Sequence, residues 1–180
     1  MPKKKNIPNA PAPDFEAMAD MVMNGLAKEV AQLGLHFFLG GFEKGGFTDV
    51  NFIPWVKRQD LESRAILTKS NALKEGLEIV SETPQRIEIA VNESIPYAEI
   101  HNSGGTITVK ITDKMRKFFW SMWYETDEIK YKYMALSKND TMTINIPERQ
   151  FIGNSYTLNS QIDKMAVDRI LKSVQQVKPK

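Results

Sequence analysis

The sequence contains no cysteine and only two histidines, His36 and His101, which limits the chemistry available to the chain. Without cysteine neither disulfides nor thiolate metal sites can form, and the composition is compatible with a reducing compartment. A zinc or iron site needs three or four convergent ligands. No HExxH, CxxC or DxDxDG spacing occurs, so we expect no metal and no cofactor.

Long apolar runs and a large charge of one sign are also missing. No run approaches the roughly 20 apolar residues needed to cross a bilayer, so no membrane partner is expected. The formal net charge is +2, whereas nucleic-acid-binding domains usually carry a dense basic cluster. Lysines do gather near both ends, at residues 3–5 and 172–180. They are either solubilising tails or contacts with DNA phosphate or an acidic partner.

Motifs of catalysis are absent as well. The glycine pairs of the chain fit neither GxxxxGK[ST] nor GxGxxG, and no GxSxG elbow accompanies His101 and Ser103. The neighbouring carboxylates Asp127 and Glu128 lie in polar sequence, although a general acid needs a carboxyl group whose pKa is raised by burial. We therefore expect that the chain is not an enzyme.

The 180 residues, of which 42% are hydrophobic, suffice for one domain with a real core. Residues 1–13 hold four prolines and a lysine run, which predicts a flexible arm before a single domain over 14–177. A helix is predicted from Asp14 to a stop at Gly40 and Gly41, because apolar residues recur every three or four positions. This stripe comprises Phe15, Met18, Val22, Leu26, Val30 and Leu33.

Residues 42–71 lack a clear period and are expected to form an irregular loop. Its aromatic residues either dock on the core or form an exposed partner-binding surface. They are Phe42, Phe47, Phe52 and Trp55. Alternating apolar residues at 77–79 and 87–91 flank a turn-forming cluster at 81–85, so this segment predicts a hairpin.

A short helix is predicted to begin at Pro96 and to end at Gly104 and Gly105. The alternating segments 107–111 and 142–146 are expected to pair as strands around an insertion at 113–140. The insertion begins with a helix capped by Asp113 and continues into an exposed, mobile segment. The apolar face of that helix either closes over the sheet or docks a protein. It comprises Met115, Phe118, Phe119, Met122 and Trp123.

A final helix is predicted over 160–177, with Ile162, Met165, Ala166, Ile170 and Val174 facing inward. The predicted fold class is therefore α+β. An antiparallel sheet of hairpins packs against a long N-terminal helix and a C-terminal helix, and a helical insertion separates two paired strands.

The order of several segments is similar to that of the phage virion morphogenesis proteins of Mu-like phages, which are related to tail-completion and neck proteins. The main carriers are YAEIHNSGG, with Tyr97, His101, Gly104 and Gly105, and IPERQFIG, with Pro147, Arg149 and Phe151. An FFW helix lies between them. The similarity covers roughly residues 20–175. Asn71 stands where the family commonly has glycine, and asparagine is the next best residue for positive φ.

The resemblance implies a non-enzymatic component of the virion, assembled in the host cytoplasm. It would act at the head–tail junction or tail end as a ring of identical copies, with portal, connector or tail-tube proteins as partners. Unpaired sheet edges and aromatic segments would supply contacts between copies. The residues expected at subunit or partner interfaces are Phe52, Trp55, Tyr97, His101, Gly104, Gly105, Phe118, Phe119, Trp120, Trp123, Arg149 and Phe151.

An alternative is a DNA-binding module. Lys130 and Lys132 alternate with Tyr131 and Tyr133, and the termini are basic. Stacking combined with positive charge is how proteins bind single-stranded nucleic acid. A non-specific contact with packaged DNA is compatible with either function.

Overall fold

A computed structural model describes residues 15–57 and 65–176. The predicted arm at 1–13 lies outside the described residues. The elements in chain order are α1 (Phe15–Lys44), β1 (Gly46–Thr48), β2 (Phe52–Pro54), α2 (Ala72–Glu75), β3 (Leu77–Thr83), β4 (Arg86–Val91), α3 (Ala98–Ser103), β5 (Gly105–Lys110), α4 (Asp113–Thr126), α5 (Ile129–Leu136), β6 (Thr141–Ile146) and α6 (Tyr156–Gln176). The fold is α+β, as predicted, and the described strands form three separate two-stranded antiparallel sheets.

The described residues outside 105–146 are here called the body. Helix α1 is its central helix and packs against β3, β4 and α6. It passes through Gly40 and Gly41 and ends at Lys44, so the predicted stop was wrong. The stop is instead Gly45, whose φ of 70° is readily adopted only by glycine. Gly34 lies where the helix approaches β4, since a Cβ there would stand 2.6 Å from Ile89 Cδ1.

The region predicted as an irregular loop contains a small hairpin, because β1 pairs with β2 with Phe47 opposite Ile53. Phe42, Phe47 and Trp55 are buried, which confirms docking for these three aromatic side chains. Phe52 is exposed.

The core joins this hairpin to the C-terminal part of the chain. The ring of Phe42 lies 5.4 Å from the rings of both Trp55 and Phe151. The indole N–H of Trp55 donates to the Gln150 carbonyl at 2.6 Å. The buried cluster comprises Phe38, Phe42, Phe47, Trp55, Leu73, Leu77, Phe151 and Leu158.

The hairpin β3–β4 is confirmed, with Leu77 opposite Val91 and Ile79 opposite Ile89. Its strands extend further into the predicted turn cluster and reach Thr83 and Arg86. A register shift after Ile79 marks a bulge.

The pairing of β5 with β6 is also confirmed, with Ile107 opposite Ile144 and Val109 opposite Met142. The residues 105–146, here called the excursion, consist of this ribbon together with α4 and α5. Within the excursion, as far as the structure describes it, β5 packs closely against β6 and α4 against α5. Neither pair packs extensively on α1, the β3–β4 hairpin or α6.

Three details of the excursion differ from the sequence predictions. Thr112, rather than Asp113, caps α4, because its hydroxyl accepts from the Met115 amide at 3.3 Å. The segment predicted as mobile contains α5. Arg116 holds the end of α5, since its guanidinium donates to the carbonyls of Ala135, Ser137 and Asn139.

Helix α6 begins at Tyr156, four residues before the predicted start, because Ser155 caps it. The buried Ser155 hydroxyl accepts from the Leu158 amide at 3.1 Å and donates to the Thr48 carbonyl at 2.8 Å. Ile170 and Val174 were predicted to face inward, but they are 49% and 58% exposed.

Substituting Phe151 by alanine should lower the free energy of unfolding by about 3–5 kcal/mol, because the side chain is 1% exposed and its removal leaves a cavity. The matched control is Phe118→Ala, a position that is 56% exposed, with an expected loss below about 1 kcal/mol. Urea denaturation of dilute protein measures both. Equal losses would contradict the assignment of Phe151 to the core.

Candidate functional site

Three residues singled out from the sequence meet at one cleft although they lie far apart in the chain. Tyr97, His101 and Arg149 line a cleft of about 610 Å³. The described lining residues are Ile66, Leu67, Lys69, Ser70, Leu73, Tyr97, His101 and Arg149. The volume falls within the range of about 300–1,000 Å³ typical of ligand pockets.

Helix α3 and the segment after β6 position the polar side of the cleft. Tyr97 precedes α3, and its ring meets the His101 ring edge-on at 5.8 Å. The Arg149 amide donates to the His101 carbonyl at 2.9 Å. Its Nε donates to the Val56 carbonyl at 3.2 Å, and Arg149 has a further interaction within the chain. Arg149 is therefore held in place by the chain itself.

The His101 imidazole is half-buried, and its Nδ1 is fully buried without a hydrogen-bond partner among the described residues. Burial, and secondly the nearby positive charge of Arg149, hold the pKa of His101 below its ordinary value of 6.5. The neutral ring is therefore favoured at neutral pH. A neutral imidazole can either donate or accept a hydrogen bond.

The cleft also has an apolar wall, which includes a strained residue. Leu67 has a φ of 60°, a left-handed conformation that costs an L-residue roughly 1–2 kcal/mol. Its half-buried side chain packs against the core cluster, as does that of Ile66. This packing offsets the backbone strain.

Beside the cleft, α3 is joined to the segment 148–152, and we call this contact the joint. The Asn102 carboxamide oxygen accepts from the amides of Phe151 and Ile152, at 2.9 and 3.1 Å. Gly104 has a φ of 68°, and a Cβ there would lie 2.7 Å from the Glu148 nitrogen. Only glycine therefore permits this approach. Gly105 follows as the first residue of β5.

Sequence reasoning missed Asn102, although it stands between two residues that were singled out. An asparagine before a glycine pair is ordinarily explained by the turn itself. Here its side chain accepts hydrogen bonds from the amides of Phe151 and Ile152, which lie 49 and 50 residues further along the chain. Such a contact leaves no local pattern in the sequence.

The remaining predicted interface residues divide by burial. Trp55, Phe119 and Phe151 are 5%, 7% and 1% exposed, so they are corrected to core positions whose side chains are not available to another copy. Phe52 and Phe118 are 44% and 56% exposed.

Trp120 and Trp123 are half-buried, and they form an aromatic cluster with the exposed Tyr124. The ring of Trp123 lies 5.4 Å from that of Trp120 and 5.0 Å from that of Tyr124. Lys132 places its ammonium 4.7 Å from the centre of the Trp123 ring. The α4 helix thus presents both a buried and an exposed aromatic face.

Within the described ranges, no three His, Asp or Glu side chains are grouped so that they could hold a metal ion. None of the helices in those ranges is long and apolar enough to cross a membrane. No protein-family model, curated protein or solved structure matches the chain. Its function is therefore argued from its own residues.

Replacing Asn102 by alanine should destabilise the fold by about 1–3 kcal/mol, because two backbone amides lose their acceptor. Asn102→Asp keeps an oxygen at the same place and should retain more of the stability. Chemical denaturation measures both variants. If alanine were tolerated as well as aspartate, the joint would not depend on this acceptor.

The stability of the fold should decrease as the pH falls below about 6.5 towards the lowered pKa of His101. In that window the unfolded chain binds the proton more readily than the folded chain, so acidification favours unfolding. His101→Gln should reduce this dependence. Denaturation of the unmodified chain and of the variant at a series of pH values tests this. An unchanged slope in the His101 variant would be the contrary result.

Proposed function

We propose that the chain is a non-enzymatic structural component of a phage particle, which assembles as a ring at the head–tail junction or tail end. The proposal is carried by two properties of the excursion. It does not pack extensively on the body, and it has exposed apolar side chains. Those on its helices are Phe118, Tyr124, Ile129, Tyr133 and Leu136, each more than half exposed. Exposed apolar patches of this kind mark protein interaction sites.

The ribbon of the excursion supports the same function. One of its faces carries Ile107, Val109, Met142 and Ile144, and these side chains are only half-buried. The opposite face carries threonine, asparagine and lysine. A two-stranded ribbon has two open edges, which another chain can pair with or cover. Repetition around a ring removes such edges from solvent without needing a larger core.

The joint also supports the proposed function, because it is formed by the two segments that carry the resemblance to the virion morphogenesis proteins. The two segments that carry it are in direct contact, because the Arg149 amide bonds the His101 carbonyl and Asn102 bonds the Phe151 amide. Residues that form such a contact have a role in the fold. This agrees with the structural roles that the resemblance implies for them. Portal, connector or tail-tube proteins are the proposed partners.

The DNA-binding alternative has weaker support, because the lysines of α5 are already engaged. Lys130 forms an ion pair with Glu128 and lies 4.9 Å from the centre of the Tyr131 ring. Lys132 lies over Trp123. A fluorescence-anisotropy titration with DNA at low salt distinguishes this function, which predicts salt-sensitive binding. A flat titration would remove it.

Purified protein should self-associate, either alone or on added portal or tail-tube protein. Size-exclusion chromatography with light scattering measures the mass, and negative-stain imaging shows whether rings form. Phe118→Asp should weaken assembly because it places a charge on the exposed face of α4. Val50→Asp is the matched control, since Val50 is 63% exposed and lies outside the excursion.

The control should assemble like the unmodified chain. A strict monomer without affinity for portal, connector or tail components would contradict the proposed function. Equal assembly of the two variants would place the interface elsewhere on the surface.

A further inference from the structure

The segment 125–129, here called the acidic turn, comprises the end of α4, the two residues that follow it and the first residue of α5. It carries the carboxylates of Glu125, Asp127 and Glu128, all exposed, and Ile129, which is 54% exposed. Glu128 pairs with Lys130. Among the described residues, the Asp127 carboxylate has no ion pair or hydrogen bond. Because α4 has 14 residues, the turn lies roughly 20 Å along the helix from the ribbon.

The turn has a defined backbone. Asp127 adopts a left-handed conformation with φ 54°, and its amide donates to the Trp123 carbonyl at 2.8 Å. The Thr126 hydroxyl donates to the Met122 carbonyl at 2.7 Å. A turn ordered in this way loses little conformational entropy when it binds.

The cleft has the complementary chemistry. Its apolar wall includes Ile66, Leu67 and Leu73, and its cationic groups are Lys69 and Arg149. Its described lining contains no carboxylate. Lys69 is exposed and has no ion pair within the described ranges.

We infer that the acidic turn of one copy docks into the cleft of the next copy, with Asp127 beside Lys69 and Ile129 against the apolar wall. None of the turn residues is among the described residues that line the cleft of the same chain. Opposite charges across an interface select the partner and its orientation. The contact joins two different surfaces, so it repeats head to tail and closes into a ring when the rotation permits. The inference rests on the proposed function and specifies its subunit contact.

Cross-linking tests the contact directly, because the chain contains no cysteine of its own. Full-length Asp127→Cys, carrying an affinity tag, is mixed with untagged Lys69→Cys under mild oxidation. The expected product is a tagged–untagged disulfide dimer in excess over both homodimers. The control replaces Lys69→Cys by Lys28→Cys, an exposed position on α1. This pair should give no such excess.

A charge exchange provides the second measurement. Lys69→Glu and Asp127→Lys should each weaken self-association by about tenfold or more, because each places like charges together. The double variant should recover most of the affinity. Ile129→Ser should also weaken association, whereas Val50→Ser should not, although both positions are exposed by more than half. Sedimentation velocity gives the affinities.

The outcomes separate this inference from the proposed function. If rings form but no tagged–untagged cross-link appears and the double variant recovers nothing, this contact is wrong while the function stands. If the unmodified chain remains monomeric with and without portal or tail-tube protein, both are wrong. Cross-linking together with recovery in the double variant supports both.

Discussion

The arrangement of this chain depends on the hydrogen bonds that the carboxamide oxygen of Asn102 accepts. These two hydrogen bonds join the end of α3 to the segment that follows β6. The excursion leaves the body after α3 and returns just before this segment, so the joint closes a loop of some forty residues at its base. The same contact brings Phe151 into the core and Arg149 to the cleft. The joint therefore contacts the core, the cleft and the base of the excursion.

The hairpins could be predicted from the sequence because their signal is local. Apolar alternation placed β3 with β4, and it paired β5 with β6 across the insertion at 113–140. Helix ends were predicted less well. The end of α1 is set by the positive φ of Gly45. The start of α6 is set by the Ser155 hydroxyl, which caps the helix and is held by its bond to the distant Thr48 carbonyl. Bonds between distant residues leave no periodicity to detect.

The candidate site was predicted in part. Tyr97, His101 and Arg149 were singled out from the sequence. Their common cleft could not be predicted, because part of its apolar wall comes from the segment 42–71, which lacks a clear hydrophobic period. The division of aromatic residues between core and surface was also hidden. Phe118 and Phe119 are chemically identical neighbours, yet one is exposed and the other buried. The rotation of α4 about its own axis decides between them, and tertiary packing sets that rotation.

The body has a small core, and the excursion covers little of the body. This arrangement suits the proposal that other copies cover the remaining apolar surface. Cryo-electron microscopy of the assembled protein tests this claim most directly. The account predicts a closed, rotationally symmetric ring in which the excursion of each copy lies on its neighbour. Subunits that contact one another only through the body, with every excursion free in solvent, would contradict it.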